Sequence, residues 1–302
     1  MAVVEVAEAV EPLARRGGLR AALVGLRPRQ WPKNLLLFAG IVFAAKLGDG
    51  DRWLSAIAIF AAYCAASSAA YLVNDVRDRA ADRLHPAKRH RPIARGEVAP
   101  GAALALAAGL VLAAFALAAL LGASAVAYLA AFLAVQAAYT VALKHIVLVD
   151  VATISGLFVL RAAAGADAVD VRISSWLLAC TALLALFLAL AKRRAELVLV
   201  GADLTPGRKV LEGYSLRVCE RLLQLAAVAT LVAYAVYTVT SRDSKALAAT
   251  IPFVVAGVAR YLHLVHRHDL GEEPENVLLR DRPLHAAIAG WVAVAALVLA
   301  TG

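Results

Sequence analysis

Apolar runs alternate with short charged breaks along most of the chain. Nine runs stand out, at about 34–47, 53–73, 101–121, 123–142, 147–165, 174–191, 222–240, 246–264 and 284–300. Several exceed the roughly 18 to 20 apolar residues that a helix needs to cross a bilayer. The pattern therefore predicts an all-α polytopic membrane protein of nine transmembrane helices. Residues 1–18 read as a flexible tail without the order of a cleavable signal, because Glu5, Glu8 and Glu11 precede any hydrophobic segment. Residues 19–302 read as one membrane domain. Pro28 and Pro32 break any continuous helix leading into the first run. Gly122 and its neighbours leave so short a loop that the third and fourth spans must form a tight antiparallel hairpin.

Composition agrees with the pattern: 62% of the 302 residues are hydrophobic, and Ala, Leu and Val dominate. The net charge of +9 is spread over loops, which argues for membrane orientation and phosphate handling and against nucleic acid. With nine spans, loops 75–100, 143–146, 192–221 and 265–283 share one side and hold most Lys and Arg. The other side offers only Lys46, Arg52, Arg172, Arg242 and Lys245. Cytoplasmic loops carry the excess of basic residues, so the N-terminus and the charged loops are expected in the cytoplasm and the C-terminus outside. Cys64, Cys180 and Cys219 have no metal-ligand spacing, and the first two read as small packing residues. Arg161 falls inside the fifth run and reads as structural or snorkelling.

One stretch concentrates chemistry. The second run delivers the chain to Asn74-Asp-x-x-Asp-x-x-x-Asp82, followed at once by Lys88, Arg89, Arg91 and Arg95. On one continuous helix Asp75, Asp78 and Asp82 would share a face, and their mutual repulsion calls for a cation. Oxygen-only ligands without Cys or His suit Mg2+. Asn74, Asp75, Asp78 and Asp82 are thus the candidate metal ligands, and the basic run is a candidate phosphate holder. The competing reading is a solvated loop made basic by topology. Lys33, after the two prolines, is likewise either a phosphate ligand or a topology anchor.

The Asn74–Asp82 motif, the Arg27-Pro-x-Gln-Trp-Pro-Lys33 segment and the nine-span plan resemble the UbiA superfamily of intramembrane prenyltransferases. Tyr71–Asp78, Asp82-Arg-x-His-Pro-x-Lys-Arg89, Lys192-Arg-x-Ala-Glu-Leu197, and Gly271-Glu-x-Pro-Glu with Leu279-Arg-Asp-Arg282 are similar to its actinobacterial decaprenyl-phosphate phosphoribosyltransferases. The resemblance runs from about residue 19 to the end. It implies a UbiA-like bundle with cytoplasmic loops capping the site. It implies Mg2+-dependent transfer of 5-phosphoribosyl from phosphoribosyl pyrophosphate to a polyprenyl phosphate, toward the lipid-linked arabinose donor of cell-wall arabinan. Aromatic prenyltransferases of the superfamily usually carry a second aspartate-rich motif after span six. Here that position reads Lys192-Arg-Arg-Ala-Glu196, with Asp203 farther on.

That departure fits two phosphorylated substrates, which need more basic residues than a neutral aromatic acceptor does. Lys33, Lys88, Arg89, Arg91, Lys192 and Arg193 could supply them. Asp78 and Asp82 are expected in the central catalytic roles. No general base is expected, because the attacking phosphate oxygen is already ionised. Glu196 and Tyr214 are candidate ribose contacts, with packing an equal reading for Tyr214. Arg280 and Asp281 form either a loop ion pair or part of the substrate site. Aromatic prenyl transfer and a membrane lipid or ion carrier stand as alternatives. The missing acidic motif counts against the first, and the one-sided charge against the second. The Asp-Gly and Ala-Arg signature of CDP-alcohol phosphotransferases is absent. Homo-oligomerisation is left open.

Overall fold

From residue 50 onward the helices follow the apolar runs closely. A computed structural model describes residues 17–43, 48–85, 88–172, 174–201, 209–240, 245–267, 277 and 280–301. Among these the long helices are α3 (Gly50–Arg77), α5 (Pro100–Leu121), α6 (Ala123–Val141), α7 (Val149–Ala168), α8 (Ser175–Gly201) and α9 (Leu216–Thr240). A 3-10 turn, Lys245–Thr250, continues into α10 (Ile251–Arg267). Seven segments are long and apolar enough to cross a membrane, and α11 (Arg282–Thr301) contains a shorter apolar stretch, Arg282–Val298. The protein is thus a polytopic, all-helical membrane protein, and the eight later expected spans each coincide with one of these elements.

The first expected span is built differently. After a short α1 (Gly18–Gly25), residues Pro28–Phe38 form a 3-10 helix, and only Ala39–Phe43 is α-helical, as α2. Pro28 and Pro32 each lack an N–H and clash with an α-helical preceding turn, so the tighter winding takes over. Residues 44–47 lie outside the described part. This segment reaches the bundle interior through two glycines. A Cβ on Gly165 of α7 would stand 2.0 Å from the Leu37 carbonyl oxygen, and one on Gly40 would stand 2.6 Å from Ala166 Cα. Backbone packs directly on backbone there.

Local signals fix the helix ends. The Asp49 side chain accepts the Arg52 N–H at the start of α3, a standard N-cap contact. Pro100 opens α5, where its missing N–H costs nothing. Gly122 alone, at φ 121°, turns the chain from α5 into α6, as the hairpin expectation required. Half of the spanning windows of α3 and α7 is buried, against 17% for α5, so α3 and α7 are inner helices. Alanines such as Ala66, Ala114, Ala118, Ala125 and Ala164 are fully buried and let neighbouring backbones approach. All three cysteines are buried and free, which suits the packing role expected of Cys64 and Cys180. At the other end of the bundle Arg52 ties α3 to the end of α7 through the carbonyls of Val169 and Asp170.

Candidate active site

The ends of α3, α6 and α8 and the starts of α5, α7, α9 and α11 share one end of this up-and-down bundle. The acidic stretch lies there. α3 stops at Arg77, and a short α4 (Arg79–Leu84) restarts after Asp78, whose φ and ψ are −90° and 6°. Asp75, Asp78 and Asp82 therefore do not lie along one unbroken helix. The break still brings two of them together. Asp75 and Asp82 are 2% and 3% exposed, and one nitrogen of Arg91, Nη1, reaches both, at 3.1 Å to Asp75 Oδ1 and 2.7 Å to Asp82 Oδ2. Arg27 Nη2 donates to the same Asp75 oxygen at 2.5 Å. Asp78 is partly exposed and bonds through its backbone N–H to Asn74.

Arg27 belongs to the bent segment before the 3-10 helix. Its φ of 54° is left-handed, an uncommon conformation for a residue with a Cβ. Ser68 of α3 holds that bend by donating to the Leu26 carbonyl at 2.8 Å and accepting from Trp31 Nε1 at 3.1 Å. The Arg27 guanidinium also lies over the Tyr71 ring, 4.8 Å from its centroid, a favourable cation–π arrangement. Lys33 donates to Gln30 Oε1 at 2.5 Å, four residues beyond Arg29 in the same lead-in segment. Lys88 and Arg89 form a 3-10 turn beside the acids, with Arg89 exposed. The following loop is pinned by Arg83 Nε, which donates to the Ala94 carbonyl at 2.9 Å.

Among the described residues no group of three His, Cys, Asp or Glu side chains is gathered closely enough to hold a metal. Two carboxylates, Asp75 and Asp82, do meet, and the Arg91 guanidinium lies between them. The chemistry of the donors nonetheless fits a hard divalent cation, because Asp75 and Asp82 offer only oxygen and Asn74 Oδ1, on the residue preceding Asp75, is buried without a hydrogen-bond partner.

Arg193, Glu196 and Tyr214 come together with Asp150 near the start of α7, and they are bonded to one another through Arg193 and Asp150. Arg193 is 1% exposed. Its Nε lies 2.8 Å from Asp150 Oδ2, an ionic contact without a well-aimed hydrogen bond, and its Nη1 bonds to Glu196. Arg193, a candidate phosphate ligand, shares its charge here between two carboxylates away from solvent. Tyr214 donates to Asp150 Oδ1 at 2.5 Å and accepts the Leu148 N–H at 2.9 Å. Burial raises the Tyr214 pKa, and the bond to Asp150 raises it further, so the hydroxyl keeps its proton. Tyr214 is thus a buried linker, the packing alternative. It also holds Leu148 in a left-handed conformation at φ 66°. Lys192 is half-buried on the adjoining turn of α8, and Arg194 turns away to Glu220 and the Val265 carbonyl.

Three side chains were not singled out from the sequence. Arg27 enters the sequence reading only as the first residue of the Arg27-to-Lys33 segment, without a role of its own. Asp150 is the only acidic residue between 123 and 166, and an isolated acid at the start of an apolar run is itself a signal. Asn34 accepts from Arg161 Nε at 2.8 Å. Arg161 does not snorkel: it is 7% exposed, bonds to the Leu157 carbonyl, and lies over Phe132 at 4.5 Å. Asp281 pairs with Arg260 of α10 at 2.8 Å and caps Leu284 at 2.9 Å, so Arg280 is not its partner here. Asp203 and most of the Gly271–Leu279 motif fall outside the described residues.

Residues 35–279 match the model of the UbiA prenyltransferase family. The chain is 37% identical over 287 residues to the decaprenyl-phosphate phosphoribosyltransferase of Mycobacterium tuberculosis, covering 92% of this chain and 93% of that protein. It is 36% identical over 283 residues to that of Mycolicibacterium smegmatis, covering 88% of each. Its fold matches the solved structure of a UbiA homologue from Archaeoglobus fulgidus bound to DMAPP and Mg2+, with a TM-score of 0.72 over 93% of this chain and 100% of the other, at 17% identity. A helical membrane bundle with paired acids at one end, matched along most of its length, leaves one assignment: the chain belongs to the UbiA prenyltransferase family and is a membrane transferase of it.

Proposed function

We propose that the protein transfers 5-phosphoribosyl from phosphoribosyl pyrophosphate to a polyprenyl phosphate, with decaprenyl phosphate the acceptor suggested by the relatives' names. Chain-long likeness to enzymes of that name carries the reading. The local chemistry supports it. At the end of α8, where a second acidic metal site would serve an aromatic prenyltransferase, Glu196 is held by Arg193 and the neighbouring side chains are basic. The protein would lie in the cell membrane with this end in the cytoplasm, where the basic loops belong.

Asn74, Asp75, Asp78 and Asp82 would hold Mg2+, whose chemistry is to neutralise the leaving pyrophosphate. Lys33, Lys88, Arg89, Arg91 and Lys192 would bind phosphate oxygens of donor and acceptor. The bond between ribose C1 and the pyrophosphate oxygen breaks, with the electron pair leaving on pyrophosphate. The acceptor's phosphate oxygen forms the new bond to C1. Carboxylates beside C1 stabilise the positive charge that develops there. No proton has to be removed from the attacking group, so no base is assigned.

The test is turnover by the purified protein with radiolabelled phosphoribosyl pyrophosphate, Mg2+ and a panel of lipid phosphates. Labelled lipid should form, and chelation should abolish it. Asp78→Ala and Asp82→Ala should lower mainly kcat, whereas Lys192→Ala should raise KM by about tenfold or more. Joining a prenyl diphosphate to an aromatic acid, with phosphoribosyl pyrophosphate ignored, would overturn the reading.

A further inference from the structure

We propose that Arg91 is the resident counter-cation of the carboxylate pair, seated where the metal goes, and that metal loading moves it from Asp75 and Asp82 onto the donor's phosphates. This rests on the metal part of the function proposed above.

The seat is defined by atoms already described. One Arg91 nitrogen lies 3.1 Å from Asp75 Oδ1 and 2.7 Å from Asp82 Oδ2. A cation that joins Asp75 Oδ1 to Asp82 Oδ2 must take the same space. Buried carboxylates without a counter-charge repel each other and lose their hydration. Arg91 offsets both costs while the metal is away, and a metal ion offsets them when it arrives. Asn74 Oδ1, on the residue preceding Asp75, is buried and unsatisfied, an oxygen that the guanidinium does not use.

The neighbouring arginine stays. Arg27 contacts Asp75 alone, stacks on Tyr71, and is fixed by the Ser68 bonds to the Leu26–Trp31 bend. Arg91 is differently placed. It follows the three-residue turn Lys88–His90, its side chain is 27% exposed, and the segment after it is made of turns rather than helix. Released from the carboxylates, its planar fork suits a phosphate as well as that of Arg89 does, while Arg95 on the same loop is paired with Glu97. Arg27 is then the positioning residue that keeps Asp75 in place during the exchange.

The exchange has a sign that a merely structural arginine would not produce. Removing Arg91 should tighten metal binding without donor, since nothing has to be displaced. It should weaken donor binding at saturating metal, since a phosphate contact is lost. Mn2+ titration of the purified full chain, followed by the electron paramagnetic resonance of free Mn2+ with no substrate present, reads the first effect. Arg91→Gln should bind Mn2+ about tenfold more tightly than wild type. Arg91→Lys, which keeps the charge, should stay near wild type. Binding of phosphoribosyl pyrophosphate at saturating Mn2+ should then fall about tenfold in Arg91→Gln. Mn2+ affinity that is unchanged, weaker or undetectable in Arg91→Gln overturns the proposal. Unchanged donor binding overturns the second half of the exchange.

A measurement that keeps Arg91 guards against an unstable variant. The native cysteines are buried, so a spin label on His90→Cys reports on the loop alone, and Mg2+ should raise its mobility. A spectrum that Mg2+ leaves unchanged overturns the exchange. None of these readouts involves turnover, so a failure of the phosphoribosyl assignment would show separately.

Discussion

Asp150 and Arg193 show how an ion pair survives among apolar helices. Each is almost fully buried, and each has a second partner: Tyr214 for Asp150, Glu196 for Arg193. Removing one member of a buried pair leaves the other charged and dry, which typically costs about 3 to 5 kcal/mol. Asp150→Ala should therefore lower the thermal midpoint of the detergent-solubilised protein sharply. Tyr214→Phe removes a hydrogen bond to a charged group and should cost less, about 1.5 to 3 kcal/mol. If both variants melted like wild type while activity vanished, the network would be part of the chemistry and not of the scaffold. At this scale the sequence was half legible. Asp75, Asp78 and Asp82 announced themselves by clustering. Arg193 did not announce its burial, because a basic residue at the end of a span looks the same whether it faces water or an acid from α7.

An element reads easily when its hydrogen bonds are its own. α5 and α6 are satisfied internally, and their apolar length was enough to place both, with Gly122 between them. The lead-in segment and the α3–α4 junction depend on partners far along the chain. Two prolines warned of a break but could not say that a 3-10 helix would lie against a glycine in α7. Nor could spacing alone show that Asp78 sits at a break, so the single-face argument for the three acids fails while the meeting of Asp75 with Asp82 survives. The glycine contact makes a prediction of opposite signs. Gly165→Ala must push a Cβ into the Leu37 carbonyl, so folded yield and thermal stability should fall. Gly109→Ala in α5 has open space around it and should be neutral or stabilising by up to about 1 kcal/mol. Equal melting of the two variants would mean that the Leu37–Gly165 packing is not maintained.

The whole molecule presents Asp75, Asp78 and Asp82, most of its basic loops, the end of α3 and the start of α7 at one end. Buried native cysteines give a quiet background for mapping that end. A cysteine at exposed His90 should be shielded from an impermeant external thiol reagent in intact cells, and one added after Gly302 should react; the reverse pattern would invert the proposed orientation. The close seat of Leu37 on Gly165 also bears on how the protein is made. Residues 28–38 leave the ribosome long before α7 exists, and until then no glycine is present to receive their backbone. A 3-10 segment with proline gaps in its hydrogen bonding is costly to leave bare in hydrocarbon. It should therefore wait among the lipid headgroups. In a nascent chain stopped before residue 149, a cysteine replacing Leu37 should be labelled by a water-soluble reagent, and in the full chain it should be protected. Biogenesis then runs out of register with translation: the first apolar segment to be synthesised is among the last to be seated.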